Sequence, residues 1–454
     1  MKPFQPGARL GALPLMTLLA VLLPVGSPPC ARAAEAPLAR NLILISLDTL
    51  RADRLGAYGY PRKTSRNIDA LAASGVRFET VIADSGWTLP SHVSLFTGLA
   101  PSAHGVTHHS QRMSGRLTVL PEILRQQGFR TVAITGGGFL SKSHGFGRGF
   151  EEYEALKRKD LGTALSRARK RLNEFGPEER FFMFIHSYEV HCPYTPPIFY
   201  IGMYVNSIRV RPEERVKTGG RCDEQYNKMN LTRGQGKYLS DVYDAGIRYA
   251  DDLLKGLFDE IRESGRLKDT IVILVSDHGE EFLEHGRIGH TDTLYIEDLR
   301  VPWIMTGAGL PAVVISQPVG LSDVLPTILD ALGVAPPPGL KPSLLPLIQG
   351  KKDANSARPV FSEIDWKSVL RSAVIGDYQL IFRKKSEKLR LYNWRKDPLE
   401  KNNLWGSDPA LDKKLRLALD AHFQGLAEKK IKPEPAGPLT EQEKEQLRAL
   451  GYVQ

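Results

Sequence analysis

Asn41–Leu47 reads NLILISL, an almost unbroken apolar run that stops at Asp48. A strand with one wet face alternates apolar and polar residues, whereas a run without alternation needs cover on both faces, as a central strand in a parallel sheet has. The same signature returns at 131–135 (TVAIT), 181–186 (FFMFIH) and 270–276 (TIVILVS). Between these runs the apolar residues recur at helical spacing: Ile68, Leu71 and Ala72 after Asn67, then Leu120, Ile123 and Leu124 after Thr118, then a long stretch over 243–261. Strands alternating with helices predict an α/β fold with a largely parallel central sheet flanked by helices. Ligand sites in such sheets gather at the carboxyl ends of the strands. Asp48 is therefore a candidate site residue from its position alone.

The chain has 454 residues, 42% of them hydrophobic and 25% charged, enough for one large core and a smaller second unit. Lys2 and Arg9 precede an apolar run over 10–25, interrupted by Pro and Gly and followed by Ala31, Ala33 and Ala34. This pattern predicts a cleaved secretory signal over 1–34, since a membrane span needs about 20 uninterrupted apolar residues. A periplasmic or secreted location follows, with no transmembrane segment after cleavage. Export would put Cys192 and Cys222 in an oxidising compartment, either bridged or as two free thiols, while Cys30 leaves with the leader. A Pro-rich connector over 336–346 precedes a charged, alternating stretch over 360–391, which predicts a small antiparallel sheet, and a closing helix is expected over 440–450. The expected organisation is thus a catalytic domain over 38–345 and a C-terminal subdomain over 346–454. Within the first, residues 198–237 break the pattern and read as an insertion or lid. The net charge of +10 suits an anionic partner, but no basic helix is interleaved with aromatics as nucleic-acid binding would require.

Four segments carry the chemistry: Asp48 in LDTLRAD, Thr88 in WTLPSHVSLFTG, His191 in HSYEVH, and Asp277 and His278 in SDHGE. Asp48, Asp277 and His278 form a hard oxygen and nitrogen donor set for one divalent cation, which the Thr88 oxygen could complete. Thr88 also precedes Pro90 near a helix start, where backbone N–H groups favour anions. Alone, each of these residues reads as a cap or turn residue. Together, in this order and at strand ends, they point to catalysis.

These segments resemble the sulfatase family of the alkaline-phosphatase superfamily, over nearly the whole chain after the leader. LDTLRADRLGAYGYPRKTSRNIDALAASGVRF is similar to its opening strand and first helix, and TLPSHVSLFTGLAPSAHGV to its nucleophile segment. VSDHGEEFLEHGRIGHTDTLYIEDLRVPWI resembles its second metal segment, and GDYQLIFRKKSEKLRLYNWRKDPLEKNNL its C-terminal pattern. The resemblance implies an alkaline-phosphatase/sulfatase-like fold and one divalent metal ion, calcium by family habit, held by Asp48, Asp277, His278 and Thr88. Manganese, magnesium and zinc stay open on donor chemistry. It also implies Thr88 as nucleophile, with His191 and His290 touching the transferred group or protonating the leaving group. His92 and Lys142 fall at substrate-binding positions, and His285 reads equally as a substrate contact or a loop closure.

The departures from the family pattern redirect the chemistry. Sulfatases carry Cys or Ser in C-x-P-S-R, converted to a formylglycine whose hydrate attacks sulfur. Here Thr88 cannot give that aldehyde, His92 stands in place of the arginine, and Thr49 replaces a frequent second acidic ligand. A threonine nucleophile with this ligand set is similar instead to the phosphodiesterases, phosphonate hydrolases and lipid phosphotransferases of the superfamily. The expected substrate is an anionic phosphate, phosphonate or sulfate ester, on a glycan, a lipid headgroup or a small molecule. Two alternatives stand beside it: a sulfatase that works without formylglycine, and an anion-binding protein that has lost catalysis.

Overall fold

In the computed structural model the first apolar run forms strand β1 (Asn41–Leu47), buried along its whole length. Leu42 and Leu44 enter the core on one face of the sheet, and Ile43, Ile45 and Leu47 enter it on the other. The structure describes residues 1, 37–156, 160–206, 210–218, 223–351, 358–366, 368–450 and 452. Apart from Met1, the expected leader lies outside them, and so does Cys222. Cys192 is disulfide-bonded.

The sheet continues with β2 (Val76–Ile82), β3 (Arg130–Thr135), β4 (Glu152–Ala155), β5 (Phe181–Ser187), β6 (Thr270–Val275), β7 (Arg300–Thr306), β8 (Val313–Ile315) and β9 (Val319–Gly320). Their order is β8-β2-β7-β6-β1-β5-β3-β4, with β9 also paired to β2. Among the described strands of this sheet only β7 runs against the rest. Pro302 sits where the β7–β2 register shifts, between Val301 and Trp303, as a residue with no N–H to give the ladder must. The four runs read from the sequence became β1, β3, β5 and β6, the neighbouring central strands. The parallel registers put Ser46 level with His186 on one side and Val275 on the other. The chain therefore leaves β1, β5 and β6 at one end of the sheet, delivering Asp48, Ser187 and Ser276 to a common edge.

Helices α1 (Arg66–Ala73), α2 (Thr88–Thr97), α3 (Leu120–Gln126), α4 (Leu161–Glu174) and α5 (Arg233–Glu263) flank this sheet. Helix α5 begins ten residues before the expected stretch because Thr232 and Gln235 form a capping box. Inside 198–237 the described residues include two more helices, Ile198–Tyr204 and Asp223–Asn227. The Asn227 side chain exchanges hydrogen bonds with the Ile288 backbone, 2.9 Å each way, tying this segment to the loop after β6.

Strands β10 (Val360–Asp365), β11 (Val369–Ile375), β12 (Tyr378–Arg383) and β13 (Lys388–Asn393) form the expected antiparallel sheet. Helix α6 (Pro409–Ala427) covers it, with Leu415, Leu419 and Phe423 packed on Ala373, Leu380 and Leu391. Helix α7 (Glu441–Ala449) lies instead on the large sheet, where Gly138 N–H donates to Gln446 Oε1 (3.1 Å) and Leu447 joins the main core. Among the described residues no helix is long and apolar enough to cross a membrane.

Candidate active site

Asp48 and Asp277 follow β1 and β6, and both are completely buried. The turn that carries Asp277 requires glycine two residues on: a Cβ on Gly279 would stand 1.9 Å from the Glu297 carbonyl oxygen. Ser276 Oγ accepts from Leu50 N–H (2.8 Å), locking the two loops together. His186, on β5, accepts from Gly136 N–H at Nδ1 (3.4 Å), so its Nε2 carries the proton and donates to Asp48 Oδ2 (3.3 Å). The remaining oxygens, Asp48 Oδ1 and Asp277 Oδ2, have no hydrogen-bond partner among the described residues although both are buried. Burial pushes the Asp48 carboxyl well up, and the neighbouring Asp277 and Glu280 push it further. For Asp277 burial acts in the same upward sense, but the His278, His92 and His186 rings hold it below its ordinary value. Two buried carboxyls with bare oxygens are a poor ending for a folded chain and a good seat for a cation.

Thr88 is the first residue of α2, and its Oγ1 lies 3.3 Å from His278 Nε2. His278 Nδ1 faces the Gly279 carbonyl at 2.9 Å and must carry the ring proton, which leaves Nε2 with its lone pair. That lone pair is 3.3 Å from Asp277 Oδ2 and 3.7 Å from Asp48 Oδ1. Burial lowers His278 to about 4 against the pull of Asp277, so the ring is neutral. A neutral imidazole whose other nitrogen is anchored on a carbonyl is the usual form of a metal-ligating histidine. His92 also offers a nitrogen close to Asp48 and Asp277, all three lying within 4.8 Å. Its Nδ1, however, donates to the Thr88 carbonyl (2.9 Å) and its Nε2 accepts from Ser46 Oγ (3.0 Å). Both nitrogens are committed, which makes His92 a support for Thr88 and His278 the better donor to a cation. The donor set Asp48, Asp277, His278 and Thr88 thus fits one divalent ion.

A second group of side chains faces Thr88. His191 and His290 stand with ring centroids 5.1 Å apart, and His290 is 4.4 Å from His278. His290 Nδ1 pairs with the buried Glu280 carboxylate at 2.8 Å. Between the two rings lies the Tyr452 hydroxyl, 2.9 Å from His191 Nε2, 2.8 Å from His290 Nε2 and 3.4 Å from Thr88 Oγ1. The structure brings together Asp48, Thr88, His92, His191, Asp277, His278 and His290 of the residues singled out from the sequence. It does not bring His285 there: that ring hydrogen-bonds Glu297 (2.6 Å) and stacks on Tyr295 at 3.4 Å, closing the loop after β6. Lys142 is exposed at the start of a short turn, with the buried His144 two residues on.

Two residues of this constellation were not foreseen. His186 lies within a segment already marked, and its place at the end of the apolar run FFMFIH was the available clue. Tyr452 carries no such clue, being separated from Thr88 by 364 positions with no motif of its own.

The Sulfatase family model matches residues 40–334. Delta 4,5-hexuronate-2-O-sulfatase of Bacteroides thetaiotaomicron is 24% identical over 450 residues, covering 86% of this chain and 89% of that protein. The arylsulfatase of Clostridium perfringens is 23% identical over 449 residues, covering 81% and 90%. Phosphonate monoester hydrolase of Agrobacterium radiobacter superposes with a TM-score of 0.72 at 18% identity, over 88% of this chain and 100% of that one.

Proposed function

The chain belongs to the sulfatase family, and from that premise we propose an exported ester hydrolase that attacks phosphate or phosphonate esters with Thr88, using one divalent cation. The observation that carries this reading is the approach of Thr88 Oγ1 to the His278 Nε2 lone pair at 3.3 Å, beside two buried carboxylate oxygens without hydrogen-bond partners among the described residues. Asp48, Asp277 and His278 would hold the cation with Thr88. Its chemistry is to lower the pKa of the Thr88 hydroxyl and to offset charge on the ester oxygens. Thr88 also sits at the positive end of α2, which favours an anionic group there.

Thr88, its proton lost to solvent, forms a bond to phosphorus as the ester P–O bond opposite it breaks. The departing oxygen takes a proton from His290 Nε2, with His191 beside it. Water, or an acceptor alcohol in a transferase, then attacks the phosphothreonine, returns a proton to the histidine and frees Thr88. Phosphorus is preferred over sulfur because phosphothreonine yields to direct attack, whereas a sulfated threonine lacks the hemiacetal route by which formylglycine sheds sulfate.

Turnover of bis(p-nitrophenyl) phosphate, an aryl phosphonate ester and p-nitrophenyl sulfate, each before and after chelation, tests the proposal. Metal-dependent release from the phosphorus esters is expected, falling by about 10⁴-fold or more in Thr88→Ala with metal still bound. Release from the sulfate ester alone would favour a sulfatase, the activity named for both curated relatives above. Undiminished turnover in Thr88→Ala would remove the threonine from the chemistry.

A further inference from the structure

We infer that Tyr452 is a further catalytic residue, its phenol hydroxyl a donor to the transferred group once that group is bonded to Thr88; the inference rests on Thr88 being the nucleophile. Among the described residues the hydroxyl oxygen lies against Thr88 Oγ1 at 3.4 Å, His191 Nε2 at 2.9 Å and His290 Nε2 at 2.8 Å. The phenol has one hydrogen for two ring nitrogens, so one ring must donate to it. His191 donates its Nδ1–H to the Cys192 carbonyl and keeps Nε2 as an acceptor, while His290, as an imidazolium paired through Nδ1–H with the Glu280 carboxylate, gives its Nε2–H to the phenol oxygen. A tetrahedral centre bonded to Thr88 Oγ1 has to place its other oxygens in the space these three residues bound. There the hydroxyl turns its hydrogen from His191 to an oxygen that gains charge, beside the His290 N–H. Such preset donors act in the transition state because no reorganisation is left to be done.

The tyrosine is delivered by a built support. Helix α7 starts with a capping box between Thr440 and Glu443, and Glu443 also accepts from Ser143 Oγ at 2.8 Å. Gln446 bridges Gly138 N–H and the Leu156 carbonyl, at the ends of β3 and β4. Tyr452 N–H returns to the Leu447 carbonyl (2.9 Å), and its ring packs against Phe139 at 4.6 Å. A chain segment resting loosely in the cleft would need none of these contacts.

Three roles for this ring differ in what two substitutions do. Tyr452→Phe keeps the ring on Phe139 and removes only the hydroxyl; Tyr452→Ala removes both. With bis(p-nitrophenyl) phosphate as probe, a donor role predicts that kcat falls by about 100-fold in both variants, while KM changes little. Tyr452→Phe should unfold at the wild-type temperature. Wild-type kcat in Tyr452→Phe would reduce the residue to a packing contact, and a Tyr452→Ala enzyme faster than wild type would make it an obstruction; either result overturns the inference. Thr88→Ala is measured alongside. If it keeps turnover, the nucleophile reading fails and takes this inference with it; if it is inactive while Tyr452→Phe is not, only the tyrosine assignment falls.

Discussion

His278 and His92 both lie against Asp277, at 3.3 Å each, and distance alone does not rank them as metal donors. The hydrogen each ring must carry does. His278 spends its N–H on the Gly279 carbonyl and turns a lone pair to the carboxylates, whereas His92 spends both nitrogens on Thr88 and Ser46. His278→Ala should therefore lose stoichiometric metal in elemental analysis. His92→Gln should weaken binding by roughly 10- to 100-fold, the range for a group that supports a ligand. Metal retained in His278→Ala and lost in His92→Gln would reverse the assignment. His186 belongs with His92: burial holds its ring well below the usual pKa, so it stays neutral and serves to aim Asp48.

The elements that make the site were legible to different degrees. The apolar runs identified β1, β3, β5 and β6 because strands covered on both faces cannot alternate, and the residues ending those runs supplied Asp48 and Asp277. β7 was not foreseen as a strand: RVPWIMT contains a proline, at which its register to β2 shifts, and its antiparallel place between β6 and β2 has no mark in the sequence. His285 reads from the sequence equally as a substrate contact or a loop closure, and the loop folds its ring onto Tyr295 and Glu297. Helix α7 was expected almost to the residue, yet what it docks on could not be read from its own sequence. Its Gln446 is the residue to test. Gln446→Leu leaves the Gly138 N–H and the Leu156 carbonyl without partners in a buried place, which should cost about 1–3 kcal/mol. If α7 positions Tyr452, turnover should fall as well; a destabilised variant with wild-type kcat would separate the helix from the chemistry.

At the scale of the molecule, the sheet is what converts distant sequence into one site. Thr88 and His278 are separated by 190 positions and Thr88 and Tyr452 by 364, yet their side chains meet because the central strands run parallel and end together, and because α7 docks at the ends of β3 and β4. The chain is basic overall, at +10, while the site holds buried acids, Asp48, Asp277 and Glu280. A cation held between the carboxylates would resolve that contrast locally and turn an acidic pocket into one that accepts an anionic ester. The covalent step on Thr88 is tested most directly by the intact mass of metal-loaded protein, acid-quenched during turnover of bis(p-nitrophenyl) phosphate and then digested. Added mass of one substrate-derived phosphoryl group is expected on the peptide containing Thr88, absent in Thr88→Ala and after chelation. Turnover at full rate with that peptide unmodified, and equally fast in Thr88→Ala, would contradict the covalent step.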